Sequence, residues 1–359
     1  MRILIDATPL LLRSAGVKTY TYHWIQHLFE EARNEQILTF PRLDRFAALN
    51  HERSMVSPVR TFYQLGMLFA ANTLQTIPLL DWTIPRTDVF HASNQVRNPP
   101  RRTRLTATIY DMTCQLMPEL HTPDNIRADE SLVRNLITRA DGLIAISENS
   151  RQDAIRLLNI NPDRIEVIYP GVADVYFGAR ATPAERPYAL YVGAIEPRKN
   201  VDTLLDAWES SHLKRDFDLV IAGASGWSSE KTMARLASRP EGVRYVGYVA
   251  EDELPGLTAG ATAFVYPSLY EGFGLPPAQA MAAGVPVITS TTSCLPEITG
   301  DAALLADPRS PSEIRSALER LLTSPSLQQQ LREAAKKRAE QYRWKNSARR
   351  SLEFFRKLG

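Results

Sequence analysis

The chain is 359 residues long, room for two domains of ordinary size. A hydrophobic content of 44%, a charged content of 23% and a formal net charge of +2 describe a folded globular protein and give no reason to expect a polyanionic partner. Cys114 and Cys294 lie far apart without metal-ligand spacing, the opening MRILIDATPLL is too polar for a signal peptide, and no apolar run reaches membrane-spanning length, so a disulfide framework and a spanning helix are both excluded and the sequence reads as cytoplasmic.

Residues 2–6 form a short apolar strand, and the loop 7–15 leads to Gly16. From there Val17, Tyr20, Trp24 and Leu28 follow helical spacing. A strand, a glycine and a helix N-terminus make an anion site, because free N–H groups and the helix dipole point outward. There is no GxGxxG, which argues against a dinucleotide dehydrogenase. Residues 41–60 are arginine-rich and aperiodic and read as loop. Residues 61–76 read as a helix with Phe62, Leu65, Phe69 and Ile77 on its apolar face, either packed on the core or turned to a membrane surface or an acceptor. Strand 89–92 ends near His91 and Asn94. Arg97, Arg101, Arg102 and Arg104 then cluster around Pro99 and Pro100, as a solvated loop or as a site for an anionic lipid or acceptor phosphate. Strand 105–110 ends at Asp111, helix 125–140 follows, and strand 142–146 leads to Ser147, which can cap a helix reaching Leu158. Strand 164–169 ends at Pro170 and Gly171. This alternation is that of a doubly wound parallel sheet.

Residues 173–187 carry Gly178, Pro183 and Pro187 without a period and read as a linker. A second series follows: strand 188–192, helix 201–209, strand 218–222, helix near 230–237 and strand 243–246. The stretch FVYPSLYEGFGLPPAQAMAAGVPVITS, residues 264–290, then reads as strand, loop, helix and strand. Its loop holds Glu271, Gly272 and Gly274. Pro276 and Pro277 suit a helix start, helix 279–283 closes at Gly284, and strand 285–289 follows. Loops at the carboxyl ends of such strands are where open α/β sheets bind ligands. Residues 313–322 and 327–342 are helical, and 346–358 form a basic amphipathic helix.

In VGAIEPRKNV, residues 192–201, Arg198 and Lys199 lie between a strand and a helix, with Asn200 as N-cap. Two cations beside a helix N-terminus suit a diphosphate, and a solvated basic turn is the plain alternative. Asp216 and Asp218 make a DxD, but at the amino end of a strand, the wrong end for ligands, so they are assigned to strand entry. Other carboxylate, His and Cys residues lack metal spacing, and residues 223–226 lack the GK[ST] of a phosphate loop.

Together these residues resemble the family-4 retaining glycosyltransferases of the two-domain GT-B fold, over nearly the whole chain. The resemblance is strongest at residues 192–200, 246–249 and 266–297, where EGFGLPPAQAMAAGVPVITS and SCLPEITGDAALL match the family signature. The chain is similar in particular to bacterial enzymes that extend O-antigen or exopolysaccharide chains, often mannosyltransferases. The resemblance implies an α/β fold of two Rossmann-like doubly wound domains with a cleft between them. Residues 1–172 would bind the acceptor, 173–187 would link, 188–342 would bind the nucleotide sugar, and the helix 343–359 would cross back to the first domain.

The same resemblance implies residue roles. Arg198 and Lys199 would bind the two phosphates and stabilise the leaving nucleoside diphosphate, and Glu271 would sit by the transferred sugar. The backbone at Gly272, Phe273 and Gly274 would hold the sugar hydroxyls, Gly223 and the segment of Gly247, Tyr248 and Val249 would frame the nucleobase, and Gly193 and Leu275 would be further donor-binding residues. Ser293, Cys294 and Leu295 would close over the phosphates, with Gly16, Tyr110 and Asp111 donor-binding residues of the first domain. Two positions depart from the family: Gln279 stands where a second Glu binds the ribose, and Tyr110 where a His contacts the donor. Gln279 keeps hydrogen bonding without charge assistance, and Tyr110 donates without positive charge.

The expected function is therefore retaining transfer of a hexose, mannose first, from a nucleotide sugar to a hydroxyl of a growing glycan. With no obvious carboxylate nucleophile, same-face attack fits, the leaving phosphate taking the acceptor proton. The arginine and lysine make a metal unnecessary. The co-substrate is a nucleotide-diphosphate sugar, GDP-mannose before UDP-glucose. The partners are that donor and a glycan acceptor, lipid-linked acceptors included, with no nucleic acid and with peripheral association at the inner face of the cell membrane. Two rival readings are a catalytically weak sugar-nucleotide- or glycan-binding subunit of a polysaccharide-assembly complex, motivated by Tyr110 and Gln279, and a nucleotide-sugar epimerase of similar architecture.

Overall fold

The structure is a computed structural model that describes residues 1–359 except 14–15, 44–47, 52, 75–76 and 78. The chain divides into two compact units, Met1–Gly171 with Trp344–Gly359, and Val172–Arg343. Among the described residues the strands form two six-stranded parallel sheets, one in each unit. No helix among them is long and apolar enough to cross a membrane.

In the first unit the strands are β1 (Arg2–Asp6), β2 (Gln36–Phe40), β3 (Val89–Ala92), β4 (Arg104–Ile109), β5 (Gly142–Ala145) and β6 (Ile165–Val167), in the spatial order β2-β1-β3-β4-β5-β6. β3 and β5 are buried along their whole length. Helices cover both faces of a parallel sheet, so its strands are continuous apolar runs. Leu4, Phe90, Ala107 and Leu143, from four neighbouring strands, share one core. The helix Trp344–Leu358 packs on the helix Gly16–Glu31. Trp24 Nε1 donates to Ser351 Oγ at 2.9 Å, and Arg349 pairs with Glu31 at 2.6 Å. The basic side of this last helix is thus spent on acids of the first unit.

In the second unit the strands are β7 (Tyr188–Val192), β8 (Asp218–Ala222), β9 (Val243–Gly247), β10 (Ala263–Tyr266), β11 (Val287–Ser290) and β12 (Ala303–Ala306), in the order β12-β11-β10-β7-β8-β9. The chain builds outward from β7 through β8 and β9, then returns to place β10 on the other side of β7. That reversal is a topological switch point, where the two flanking loops diverge and leave room for a ligand.

Several expectations shift. The helix read at 61–76 is Pro58–Thr73, with Pro58 in its first turn, so it takes the last three residues of the loop read at 41–60, and the loop read at 7–15 holds a 3-10 turn at Thr8–Leu11; residues 14–15, 44–47, 52 and 75–76 of these readings lie outside the described residues. The helix read at 125–140 is Pro123–Asn135 followed by a 3-10 turn at Ile137–Arg139. The helix after Gly274 starts at Leu275, so both prolines lie in its first turn. Residues 173–187, read as a linker, are part of the second unit. Tyr176 is buried, Val172 N donates to Tyr342 O at 2.7 Å, and the Arg343 guanidinium lies 3.8 Å over the Phe177 ring. Ser147 caps the helix Glu148–Leu158 by accepting from Ser150 N. Asp218 at the start of β8 pairs with Arg186 at 2.8 Å, the structural use expected of that acid.

Candidate active site

The switch point brings the segment after β7 against the loop after β10. Close backbone approach begins at Gly223, after β8. Its φ is +151°, and a Cβ there would lie 1.8 Å from Gly193 O, so only glycine fits. Gly193 N donates to Ala222 O and Ile195 N to Ala224 O, both at 2.9 Å. A 3-10 turn, Pro197–Lys199, follows, with Asn200 in the left-handed region at φ 61°. Asn200 Nδ2 donates to Pro267 O at 3.0 Å and Pro308 O at 2.6 Å, and Leu269 N donates to Arg198 O at 2.9 Å. The turn carrying the two cations is thereby fixed to the loop carrying Glu271.

Glu271 is buried at the centre of a polar cluster. Lys199 Nζ, Tyr266 OH and Ser268 Oγ all donate to its Oε1, at 2.6, 3.1 and 2.6 Å. Arg198 Nη1 lies 3.1 Å from its Oε2. Lys199 also donates to Tyr266 OH at 2.7 Å, and Arg198 donates to Tyr270 O at 2.7 Å and to Glu196 Oε1 at 2.9 Å. Burial alone would raise the Glu271 carboxyl, but the adjacent Arg198 and Lys199 charges and the bonds from Lys199 and Ser268 outweigh it and bring it down to about 2. Glu271 is therefore a fixed anion at neutral pH, unable to donate a proton. Burial pulls the Lys199 ammonium below its ordinary value, with Glu271 opposing the shift. Burial pushes the Glu196 carboxyl up against the pull of Arg198.

Further expected residues join the same cluster. Glu271 N donates to Ser293 Oγ and Cys294 Sγ to Glu271 O, both at 3.1 Å. Gly274 is left-handed at φ +82°, and a Cβ there would meet Leu295 Cδ2 at 2.7 Å. Leu275 opens the helix Leu275–Ala282, Gly272 and Phe273 are buried, and Phe273 packs edge-on to Tyr342 at 5.3 Å. Gln279 is half-buried on that helix, and its side chain makes no hydrogen bond among the described residues. Tyr248 and Val249 follow β9, Tyr248 exposed and Val249 half-buried, while Tyr245 OH donates to Gly223 O at 2.9 Å.

The first unit holds the other three. Gly16 opens the helix Gly16–Glu31 with open space where a Cβ would be. Tyr110 follows β4 and meets Tyr20 edge-on at 5.3 Å. Asp111 accepts from Thr113 N at 3.0 Å and Thr113 Oγ1 at 2.6 Å. Sequence reasoning missed Asp6, the buried acid at the end of β1, which accepts from Thr8 and from Ser93 at that unit's own switch point. In the second unit it missed Tyr266, Ser268 and Glu196. Glu196 lies inside the segment that drew notice to Arg198, and an acid two residues from an arginine in one turn was the available signal.

The cluster gathers two cations, two carboxylates and oriented hydroxyls at a switch point, and cations so placed have the chemistry to meet a multiply charged anion. The chain matches the family Glycosyl transferases group 1 over residues 174–338 and Glycosyltransferase Family 4 over residues 14–175. It is 32% identical to O-antigen chain mannosyltransferase B of Escherichia coli, over the full length of both chains. Among solved structures, sucrose-phosphate synthase from Thermosynechococcus elongatus superposes with a TM-score of 0.74 at 19% identity, covering 100% of this chain and 99% of that one. HepE of Anabaena, in complex with UDP-glucose, superposes with a TM-score of 0.72 at 17% identity, covering 99% of this chain and 100% of that one.

Proposed function

The chain belongs to family 4 of the glycosyltransferases, with the GT-B fold, and from that membership we propose that it is a retaining hexosyltransferase of O-antigen or related polysaccharide synthesis. It moves mannose from GDP-mannose to a hydroxyl of a growing glycan. The mannose assignment is supported by the full-length likeness to O-antigen chain mannosyltransferase B. One observation carries the reaction type: Arg198, Lys199 and Glu271 meet in one buried cluster at the carboxyl end of β7 and β10.

In this reading Arg198 and Lys199 receive the diphosphate and stabilise the charge that develops as the glycosidic bond breaks. They supply what a divalent ion supplies elsewhere, so no metal is required. Glu271 orients both cations and faces the transferred sugar. Its oxygens are already occupied by Lys199, Tyr266, Ser268 and Arg198, which makes it a poor covalent nucleophile and favours same-face attack with retention. The acceptor oxygen bonds to the anomeric carbon as the bond to the diphosphate breaks, and the departing phosphate takes the acceptor proton. Gly193, Gly223, Tyr248 and Val249 frame the nucleotide, Gln279 bonds the ribose, and Ser293, Cys294 and Leu295 lie along the phosphates. Gly272, Phe273, Gly274 and Leu275 hold the sugar. Gly16, Tyr110 and Asp111 belong to the unit that binds the acceptor.

A lipid-linked acceptor at a membrane surface is supported by the helix Pro58–Thr73. Val59, Phe62, Tyr63 and Phe69 lie along one exposed side of it, and Trp82 is exposed nearby. Asn72 and Asn98 fasten this helix to the arginine-bearing loop, where Arg101 and Arg102 are exposed. Arg97 instead turns to the carbonyls of Asn94 and Ala128, and Arg104 to Asp141. The deciding experiment is transfer of radiolabelled mannose from GDP-mannose, against UDP-glucose, to a mannose-terminated acceptor, with the product's anomeric configuration read by NMR. Inversion, or no transfer from any sugar nucleotide, overturns the proposal.

A further inference from the structure

Glu196 has no part in the reaction described above, yet it is buried within the same cluster. Its Oε1 accepts from Arg198 Nη2 at 2.9 Å, and its side chain is 4% exposed. At the other edge of the same planar guanidinium, Nη1 donates to Tyr270 O at 2.7 Å and lies 3.1 Å from Glu271. Glu196 and the loop after β10 therefore fix the plane of Arg198 between them. Behind Glu196 lies Gly226, where a Cβ would stand 3.3 Å from Glu196 Cβ and 3.6 Å from its Oε2, and whose N–H donates to Ile195 O at 2.9 Å. Backbone from the segment after β8 is thus built closely around this acid.

The charge balance of the cluster sets its behaviour. The titratable and charged groups facing Glu196 are Arg198 and Lys199 from its own turn, Glu271 from the loop after β10, and Tyr191 from β7, while the segment after β8 offers the backbone of Gly226. Among the described residues the charged members are two acids and two bases, so the cluster is neutral when all are ionised. A diphosphate adds two negative charges. In a buried site that excess favours protonation of an acid, because like charges at short range raise proton affinity. Glu271 resists, being held ionised by Lys199, Arg198 and two hydroxyls. Glu196 has the guanidinium as its close partner, and a diphosphate would draw that same group away.

We propose that Glu196 is the positioning and charge-regulating residue of this site: it holds the Arg198 guanidinium in plane and takes up a proton when a diphosphate binds. It does so only if Arg198 and Lys199 receive the diphosphate, as proposed above. Sugar-nucleotide binding is then linked to pH, strengthening as pH falls towards the range in which Glu196 titrates.

The test is calorimetric titration of the full chain with GDP-mannose, and in parallel UDP-glucose, near neutral pH in two buffers of different ionisation enthalpy. The phosphates of both probes are diesters and do not titrate there. The wild type should show a buffer-dependent enthalpy corresponding to net proton uptake. Glu196→Gln should bind within roughly tenfold of wild type and lose the uptake. Binding to the wild type without proton uptake, or uptake that persists in Glu196→Gln, overturns the role of Glu196 while leaving the site intact. Binding unchanged by Lys199→Ala, or no binding of either probe to the wild type, overturns the diphosphate site and the role of Glu196 with it. If the Gln variant fails to fold, absence of uptake by the wild type still overturns the role of Glu196, and Glu196→Ala supplies the comparison: uptake that persists in it overturns that role as well.

Discussion

Lys199 Nζ lies 2.6 Å from Glu271 Oε1, an ion pair between residues 72 apart in sequence that joins the segment after β7 to the loop after β10. Both side chains are nearly buried, at 13% and 9% exposure. Folding therefore orients the ammonium before any ligand arrives, which is the preorganisation that electrostatic catalysis needs. A buried pair of this kind adds little net stability, but breaking it is costly.

Lys199→Ala should accordingly separate function from folding. Leaving Glu271 with Arg198 as its remaining cation costs about 3 kcal/mol, less than the stability of a typical domain. Transfer should fall by roughly a hundredfold to a thousandfold, with the circular dichroism spectrum unchanged. Near-normal turnover by the variant would remove Lys199 from the reaction.

Acid sensitivity follows from Glu271. Its folded carboxyl titrates at about 2, below its ordinary 4.5, because Arg198 and Lys199 overcome the penalty of burial. A depressed folded value means that the unfolded chain binds the proton first. The associated stability is complete above pH 4.5 and is lost as pH falls from there towards 2. The loss amounts to about 3 kcal/mol, taking 1.36 kcal/mol for each pKa unit. Burial shifts Glu196 the other way, so its contribution is present at low pH and wanes as pH rises, partly offsetting that of Glu271. Thermal melts from pH 6 down to pH 3 should show a shallower decline in Tm for Glu271→Gln than for wild type. Parallel declines would rule Glu271 out as the source.

Legibility in sequence followed the contrast between apolar runs and their flanking turn residues. β10 and β11 are covered on both faces, so AFVY and VITS stand out as apolar runs between turn residues. Of the four edge strands, β6 and β9 are legible in the sequence, whereas β2 and β12 are not. β12, ALLA, is only partly buried and has a composition that suits a helix as well as a strand. The separate parts of the candidate site were visible as Arg198-Lys199 and as the Glu271 loop. Their meeting was not readable from residues alone, since it depends on β10 pairing with β7 rather than with β9. Tyr266 and Ser268 were passed over for the same reason: as residues they belong to a strand end and a turn, and only the fold aims their hydroxyls at Glu271.

Gln279→Glu tests how the nucleotide is held. Gln279 is half-buried in the helix Leu275–Ala282, with a side chain unengaged among the described residues and thus available to a ligand. A carboxylate there would accept charge-assisted bonds from ribose hydroxyls, worth about twice a neutral bond. Sugar-nucleotide affinity measured by calorimetry should hold or rise by several-fold. Loss of binding would show that Gln279 does not face the ribose.

The exposed aromatic stripe of the helix Pro58–Thr73 leads to a prediction about membranes. Phe62 and Phe69 are 83% and 73% exposed, seven positions apart on one side of the helix, with exposed Arg101 and Arg102 on the adjoining loop. Inserting each ring at a lipid interface is worth about 2 kcal/mol, and arginines add attraction to anionic headgroups that salt weakens. The chain should float with phosphatidylglycerol vesicles at low salt and detach as salt rises. The Phe62→Ser, Phe69→Ser double variant should stay in solution while transferring mannose to a soluble acceptor at the wild-type rate. A wild-type chain that stays at the bottom of the gradient at low salt removes the membrane surface from the proposal. A double variant that floats as well as wild type removes this helix from the contact.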